Sequence, residues 1–101
     1  MRKGRPIKTR LIQQEPKTKQ FSPRGKTGRP GHSELKHEEF EAIRLNDHLG
    51  LRQDASARFM KVSQQTFSRV LARARKTVAE ALVTGKIIRV DGGNFKIVFK
   101  Q

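Results

Sequence analysis

Gln53 to Val70 reads QDASARFMKVSQQTFSRV, which spells a helix, a tight turn and a second helix. Two helices that cross closely need a small residue at the crossing, and Ala57 supplies it. They need an apolar residue inside the turn, and Val62 supplies that. On the second helix Phe67 and Val70 stand three apart and face the first helix, which leaves the polar side chains outward. Ser63 occupies the N-cap position, where its hydroxyl accepts from the free N–H groups of the following turn. Lys61 falls where such a turn usually carries glycine. A left-handed backbone there costs a non-glycine residue roughly 1 kcal/mol, so the turn either bears that cost or adopts a slightly different geometry.

Charge and composition narrow the partner. The 101 residues hold 23 Lys and Arg against 9 Asp and Glu, a formal charge of +14, enough for one small domain with tails and one modest core. Such an excess attracts polyanions and says nothing about fold. Of the two common polyanions a membrane is the weaker candidate, because no apolar run approaches the roughly 20 residues that span a bilayer. No signal peptide is visible. The absence of cysteine excludes disulfides and thiolate metal sites, and the expected location is the cytoplasm, on the nucleoid.

The charge is unevenly placed. Residues 1–31 carry ten basic residues and one acid, together with all four prolines, and read as an extended or partly disordered basic arm that packs no core of its own. Residues 32–50 reverse the balance to −3, and residues 51–86 return to +6. Residues 32–86 therefore form the expected helical domain, with the acidic stretch as its scaffold side. The first helix is expected over about His37 to Asp47, stopped by Gly50. The second covers about Gln53 to Met60, and the third about Gln64 to Val83, roughly 30 Å long.

Along the third helix Phe67, Val70, Leu71, Ala74, Val78, Ala81 and Leu82 share one face, while Gln65, Arg69, Arg73 and Lys76 cluster opposite. Residues 87–101 read as a C-terminal β-hairpin, with Ile87–Val90 and Phe95–Phe99 flanking Asp91-Gly92-Gly93-Asn94. A lone hairpin is marginal in water, so its face of Phe95, Ile97 and Phe99 is expected to pack on Val78 and Leu82 or to join two copies in a homodimer.

The class so defined is mainly α, a three-helix helix-turn-helix core with an extended N-terminal arm and a C-terminal hairpin. Such a motif reads duplex DNA through its second helix. The candidate base contacts are Gln64, Gln65, Thr66 and Ser68, and the candidate phosphate contacts are Ser63, Arg69, Arg73 and Lys61. In the arm, Arg2, Lys3, Arg5 and Arg29 belong to two Gly-Arg-Pro segments, the first close to the core of AT-hooks, which lie in a narrow A·T minor groove. A basic tail on phosphates and an arm folded back over the motif are the other readings of that segment. Exposed Phe59 has three: core edge, arm contact or subunit contact.

Nothing points to chemistry. His32, His37 and His48 lack metal or dyad spacing. Glu38, Glu39 and Glu41 read as solvated acids at a helix N-terminus. No phosphate loop or paired carboxylates can be argued. No enzymatic activity, cofactor or metal is expected.

The stretch from Glu34 to Phe95 resembles the prokaryotic "domain of unknown function 134" family of predicted DNA-binding proteins. The resemblance is carried by EAIRL at Glu41–Leu45, VSQQTFSRVLARAR at Val62–Arg75 and VDGGN at Val90–Asn94. Gly4-Arg5-Pro6 and Phe21-Ser22-Pro23-Arg24-Gly25 match it loosely. The core is similar to region 4 of sigma factors, which implies a DNA-binding regulator and brings RNA polymerase in as a candidate partner. The chain departs at Lys61 in the turn, at Phe59, and in lacking the arm cysteine frequent in the family, which argues against a metal. The competing classes are an architectural or RNA-binding basic protein and a sigma-like protein-interaction module.

Overall fold

The acidic stretch sets the scaffold. Lys36 is extended and its N–H donates to the Glu39 carboxylate at 3.0 Å, which starts α1 at His37–Ala42. The computed structural model describes residues 9–25 and 28–98. Instead of continuing as an α-helix to Asp47, α1 widens into a π-helical segment, Ile43–His48, where the Leu49 N–H reaches the Arg44 carbonyl at 2.9 Å, five residues back. Along it Leu45 is buried and Ile43 packs against both parts of the core. Asn46 donates to the Leu51 carbonyl at 2.7 Å, closing the exit toward α2 (Gln53–Met60). The third helix, α3, runs Gln64–Thr84 and ends on Gly85, whose φ of 72° lets its N–H return to Ala81 at 2.9 Å.

One part of the core joins Ala42, Leu45, Ala57, Met60, Phe67, Val70 and Leu71 between the three helices. The other sets Leu35, Ala74 and Val90 beneath a small sheet. Leu82 departs from its expected place. The sheet covers the side of α3 that presents Ala74, Val78 and Ala81, and Leu82 lies off that side, 74% exposed.

Five short strands complete the fold: β1 (Arg10–Ile12), β2 (Gln20–Phe21), β3 (His32–Leu35), β4 (Ile87–Val90) and β5 (Phe95–Ile97). β1 pairs with β5 in parallel, while β4 lies between β2, antiparallel to it, and β3, parallel to it. The expected C-terminal hairpin is thus corrected. Strands form at Ile87–Val90 and, within the expected Phe95–Phe99, at Phe95–Ile97, but in different sheets. The architecture is three helices with two small sheets, rather than a mainly helical core with a hairpin appended.

The physical reason lies in the loop between β4 and β5. The Gly92 carbonyl accepts from the His37 backbone N–H at 3.2 Å and from His37 Nδ1 at 2.8 Å. The Asn94 N–H donates to Glu38 at 3.1 Å, and Phe95 stacks on the His37 ring at 4.2 Å. Gly93, at φ 104°, lies so close to the Glu38 carboxylate that a Cβ would collide with it. The loop is therefore drawn over the start of α1, and β5 is carried away from β4 to β1.

The arm is likewise docked over part of its length. Ile12 is 1% exposed, and β1 packs along α1 and α2. Its anchor is Glu41, which is fully buried. Arg44 donates from Nε and Nη2 to the two carboxylate oxygens at 2.8 and 3.0 Å, and the Gln13 N–H donates to Oε2 at 2.9 Å. Glu38 and Glu39 are buried as well, so the reading of these three acids as solvated is corrected.

Removing one member of a buried pair strands the other. Glu41→Ala should cost about 3–5 kcal/mol in urea unfolding, since it leaves the Arg44 guanidinium and the Gln13 N–H unpaired. A loss under about 1 kcal/mol, the range of surface pairs, would show that the cluster does not hold the arm.

Candidate nucleic-acid interface

The turn between α2 and α3 takes the left-handed form. Lys61 has φ 59° and ψ 44°, the one positive φ outside glycine among the described residues. Its N–H donates to Arg58 at 3.1 Å and the Val62 N–H to Ala57 at 3.0 Å, so both hydrogen bonds that close α2 form despite the side chain. Ser63 then accepts from the Thr66 N–H at 3.0 Å and donates to the Thr66 hydroxyl at 3.0 Å. Thr66 is thereby committed to the cap and is half-buried, which draws it away from the outward surface.

Beyond the cap the helix presents Gln64, Gln65, Arg69, Ala72, Arg73 and Lys76, all exposed. No acid occurs in α3 before Glu80, so apart from the small Ala72 this surface is basic or polar over nearly four turns. Lys61 and Ser63 are exposed beside it, and Arg58 and Arg52 add positive charge from α2 and its entry.

A further candidate, Ser68, has an internal partner, as does Arg75 on the same helix. Ser68 donates to Gln53 Oε1 at 2.7 Å, linking the first residue of α2 to the second turn of α3. Arg75 is held by Asp47 at 2.6 and 3.1 Å and by Asn46 at 3.0 Å. The Arg75 bond holds the Asp47 carboxyl below its ordinary value, and the pair ties α3 to the end of the π-helical segment. Gln53 is the residue that sequence reading missed. No spacing rule links positions on two helices fifteen residues apart, and only their crossing brings them together.

In the arm, Arg29 is exposed just before β3. Arg2, Lys3 and Arg5 lie outside the described residues, as does Phe99 of the expected apolar face. The surface proposed for a dimer is altered, because Phe95 is stacked on His37 and β5 is paired with β1. Phe59 is 46% exposed on α2. Among the described residues no group of three or more His, Asp or Glu side chains is placed to hold a metal ion, and no helix is long and apolar enough to cross a membrane.

The chain belongs to the family described as "Protein of unknown function DUF134", which it matches over residues 1–98. A UPF0251 protein of Caldicellulosiruptor bescii is 50% identical over 91 residues, covering 90% of this chain and 64% of that protein. A UPF0251 protein of Thermoanaerobacter pseudethanolicus is 47% identical over 94 residues, 92% of this chain and 80% of the relative. One of Methanococcus maripaludis is 45% identical over 97 residues, 95% of this chain and 75% of the relative. The chain therefore spans slightly less than two thirds of the Caldicellulosiruptor relative's length. No solved structure matches the chain.

The cap and the surface pair make separable contributions to stability. Ser63→Ala should cost about 1 kcal/mol in thermal or urea unfolding, because the Thr66 N–H loses its acceptor. Asp47 should contribute stability that is present above the ordinary carboxylate range and lost as pH falls through its lowered value, in acid below about pH 4. The pair is exposed, so this contribution is held to at most about 1 kcal/mol. Asp47→Asn should remove it at neutral pH, and unfolding curves recorded at pH 7 and in acid check the sign.

Proposed function

We propose that this protein binds duplex DNA through α2, the Lys61–Ser63 turn and α3, and that it acts as a sequence-specific regulator of transcription on the nucleoid. The observation that carries the reading is the outward face of α3. It rises from a capped turn with Gln64, Gln65, Arg69, Arg73 and Lys76 exposed and no acid before Glu80. A helix about 10–12 Å across with side chains fits the major groove. Glutamine can bond adenine N6 and N7 together, while arginine and lysine neutralise phosphates. The likeness of the core to sigma region 4, expected from the sequence, would imply the same use of this helix. In this reading the arm adds a second contact, on backbone or minor groove, through Arg29 and the basic residues 2–5.

Phosphate and base contacts are told apart by salt and by sequence. With a duplex selected from a random pool, Arg69→Ala should weaken binding to all duplexes and reduce the slope of log K against log salt by about one. Gln65→Ala should cost about 1–3 kcal/mol on the selected duplex only. Equal loss on scrambled DNA would remove the base-reading role from Gln65. Failure of the parent to bind any duplex would overturn the proposal.

The arm needs a gentler test than truncation, because removing residues 1–31 would also delete β1 and β2. Arg5→Lys combined with Arg29→Lys keeps the charge and loses the planar guanidinium. If minor-groove insertion operates, this double variant should lose the preference for A·T-flanked over G·C-flanked sites. An unchanged preference would reduce the arm to an electrostatic tether.

A further inference from the structure

We propose that Gln53 holds a backbone phosphate of the bound duplex, and that Ser68, rather than reading a base, is the positioning residue that aims it. This rests on the DNA-binding reading above and reassigns one of its residues. The observation is the 2.7 Å bond in which Ser68 Oγ donates to Gln53 Oε1. That bond engages the carbonyl end of the glutamine amide. What the amide then has left to offer is its –NH2 group, two donors with no charge, which complements a phosphate oxygen. The freedom that glutamine loses on binding has already been spent, since the amide is fixed across the α2–α3 crossing before DNA arrives.

The surroundings agree with an anionic oxygen at this point. The neighbouring Asp54 carboxylate is turned to the Ala55 N–H at 2.8 Å and to Arg52 at 3.3 Å, so it is internally matched. Arg58 and Lys61 bring further exposed positive charge along α2. Ser68 itself sits toward the α2 side of α3. It is 60° around the helix from Gln65 and 100° from Arg69 at 100° per residue. A residue at that flank meets the wall of a groove before its floor, and the wall is the sugar-phosphate backbone.

A neutral phosphate contact leaves a signature that a charged one does not. It strengthens binding without displacing a counterion, so its loss lowers affinity and leaves the salt slope unchanged. Fluorescence anisotropy with a labelled duplex selected from a random pool, and with a scrambled duplex of equal composition, reads both. Gln53→Ala should lower affinity about tenfold on both duplexes, with the slope of the parent. Ser68→Ala should weaken both duplexes by the same factor as each other. The double variant should bind no more weakly than Gln53→Ala alone, because Ser68 acts through Gln53. Ser68→Thr, which keeps the hydroxyl, should restore binding.

Unchanged affinity of Gln53→Ala on both duplexes would overturn the phosphate contact. A Ser68→Ala loss confined to the selected duplex would return Ser68 to base reading and overturn the positioning role. A parent that binds neither duplex fails the DNA-binding reading itself, which is seen before any variant is compared.

Discussion

Glu41 is the charge on which the rest of the arrangement depends. A carboxylate with no solvent exposure is tolerated only when its lone pairs are filled, and here Arg44 fills both oxygens while the Gln13 backbone adds a third bond. That third bond fixes a segment twenty-eight residues upstream against α1. With it go Ile12 into the interior and β1 alongside β5. The same helix start holds the loop after β4 through His37 and Glu38. One short acidic element thus gathers the arm at Gln13 and the loop after β4.

This use of the acids has an electrostatic consequence. The stretch of net charge −3 is largely withdrawn from the surface, with Glu38, Glu39 and Glu41 buried and Asp47 paired with Arg75. Carboxylates spent on internal hydrogen bonds do not screen the basic residues of α2 and α3. The +6 of residues 51–86 is therefore displayed over the outward face of the helices with little opposing charge, as a surface that attracts a polyanion requires. Order within the domain and the field outside it have a common origin in where the glutamates went.

The helical half of this structure was legible because its signals are local. Ala57 and Val62 at a crossing, Ser63 at a cap and the 3.6-residue repeat of Phe67, Val70, Leu71 and Ala74 are each decided within a few residues, and α2 and α3 follow them closely. Strand positions 87–90 and 95–97 were legible too, from apolar runs around Asp91-Gly92-Gly93-Asn94. Their partners were not. The hairpin signal of the two glycines competes with contacts to His37 and Glu38 more than fifty residues away, and those contacts win. Glu38 and Glu41 looked solvated for the same reason, since their partners come from the C-terminal loop and the distant arm, whereas Glu39 is held by the Lys36 N–H at its own helix start. In the candidate site the exposed face of α3 was readable from periodicity, whereas the Gln53–Ser68 bond required knowing how the two helices cross.

The central claim is that one surface, the turn at Lys61 and the first turns of α3, meets duplex DNA. Backbone amide shifts of the isotopically labelled full chain, followed by NMR through a titration with a selected duplex, test it most directly. Salt is kept high enough to suppress contacts made by charge alone. The account predicts saturable changes concentrated on the amides of residues 61–73 and on the side-chain amides of Gln64 and Gln65, with the core strands β3 and β4 little moved. Changes centred instead on the strands, or shifts that never saturate and vanish with salt, would contradict it.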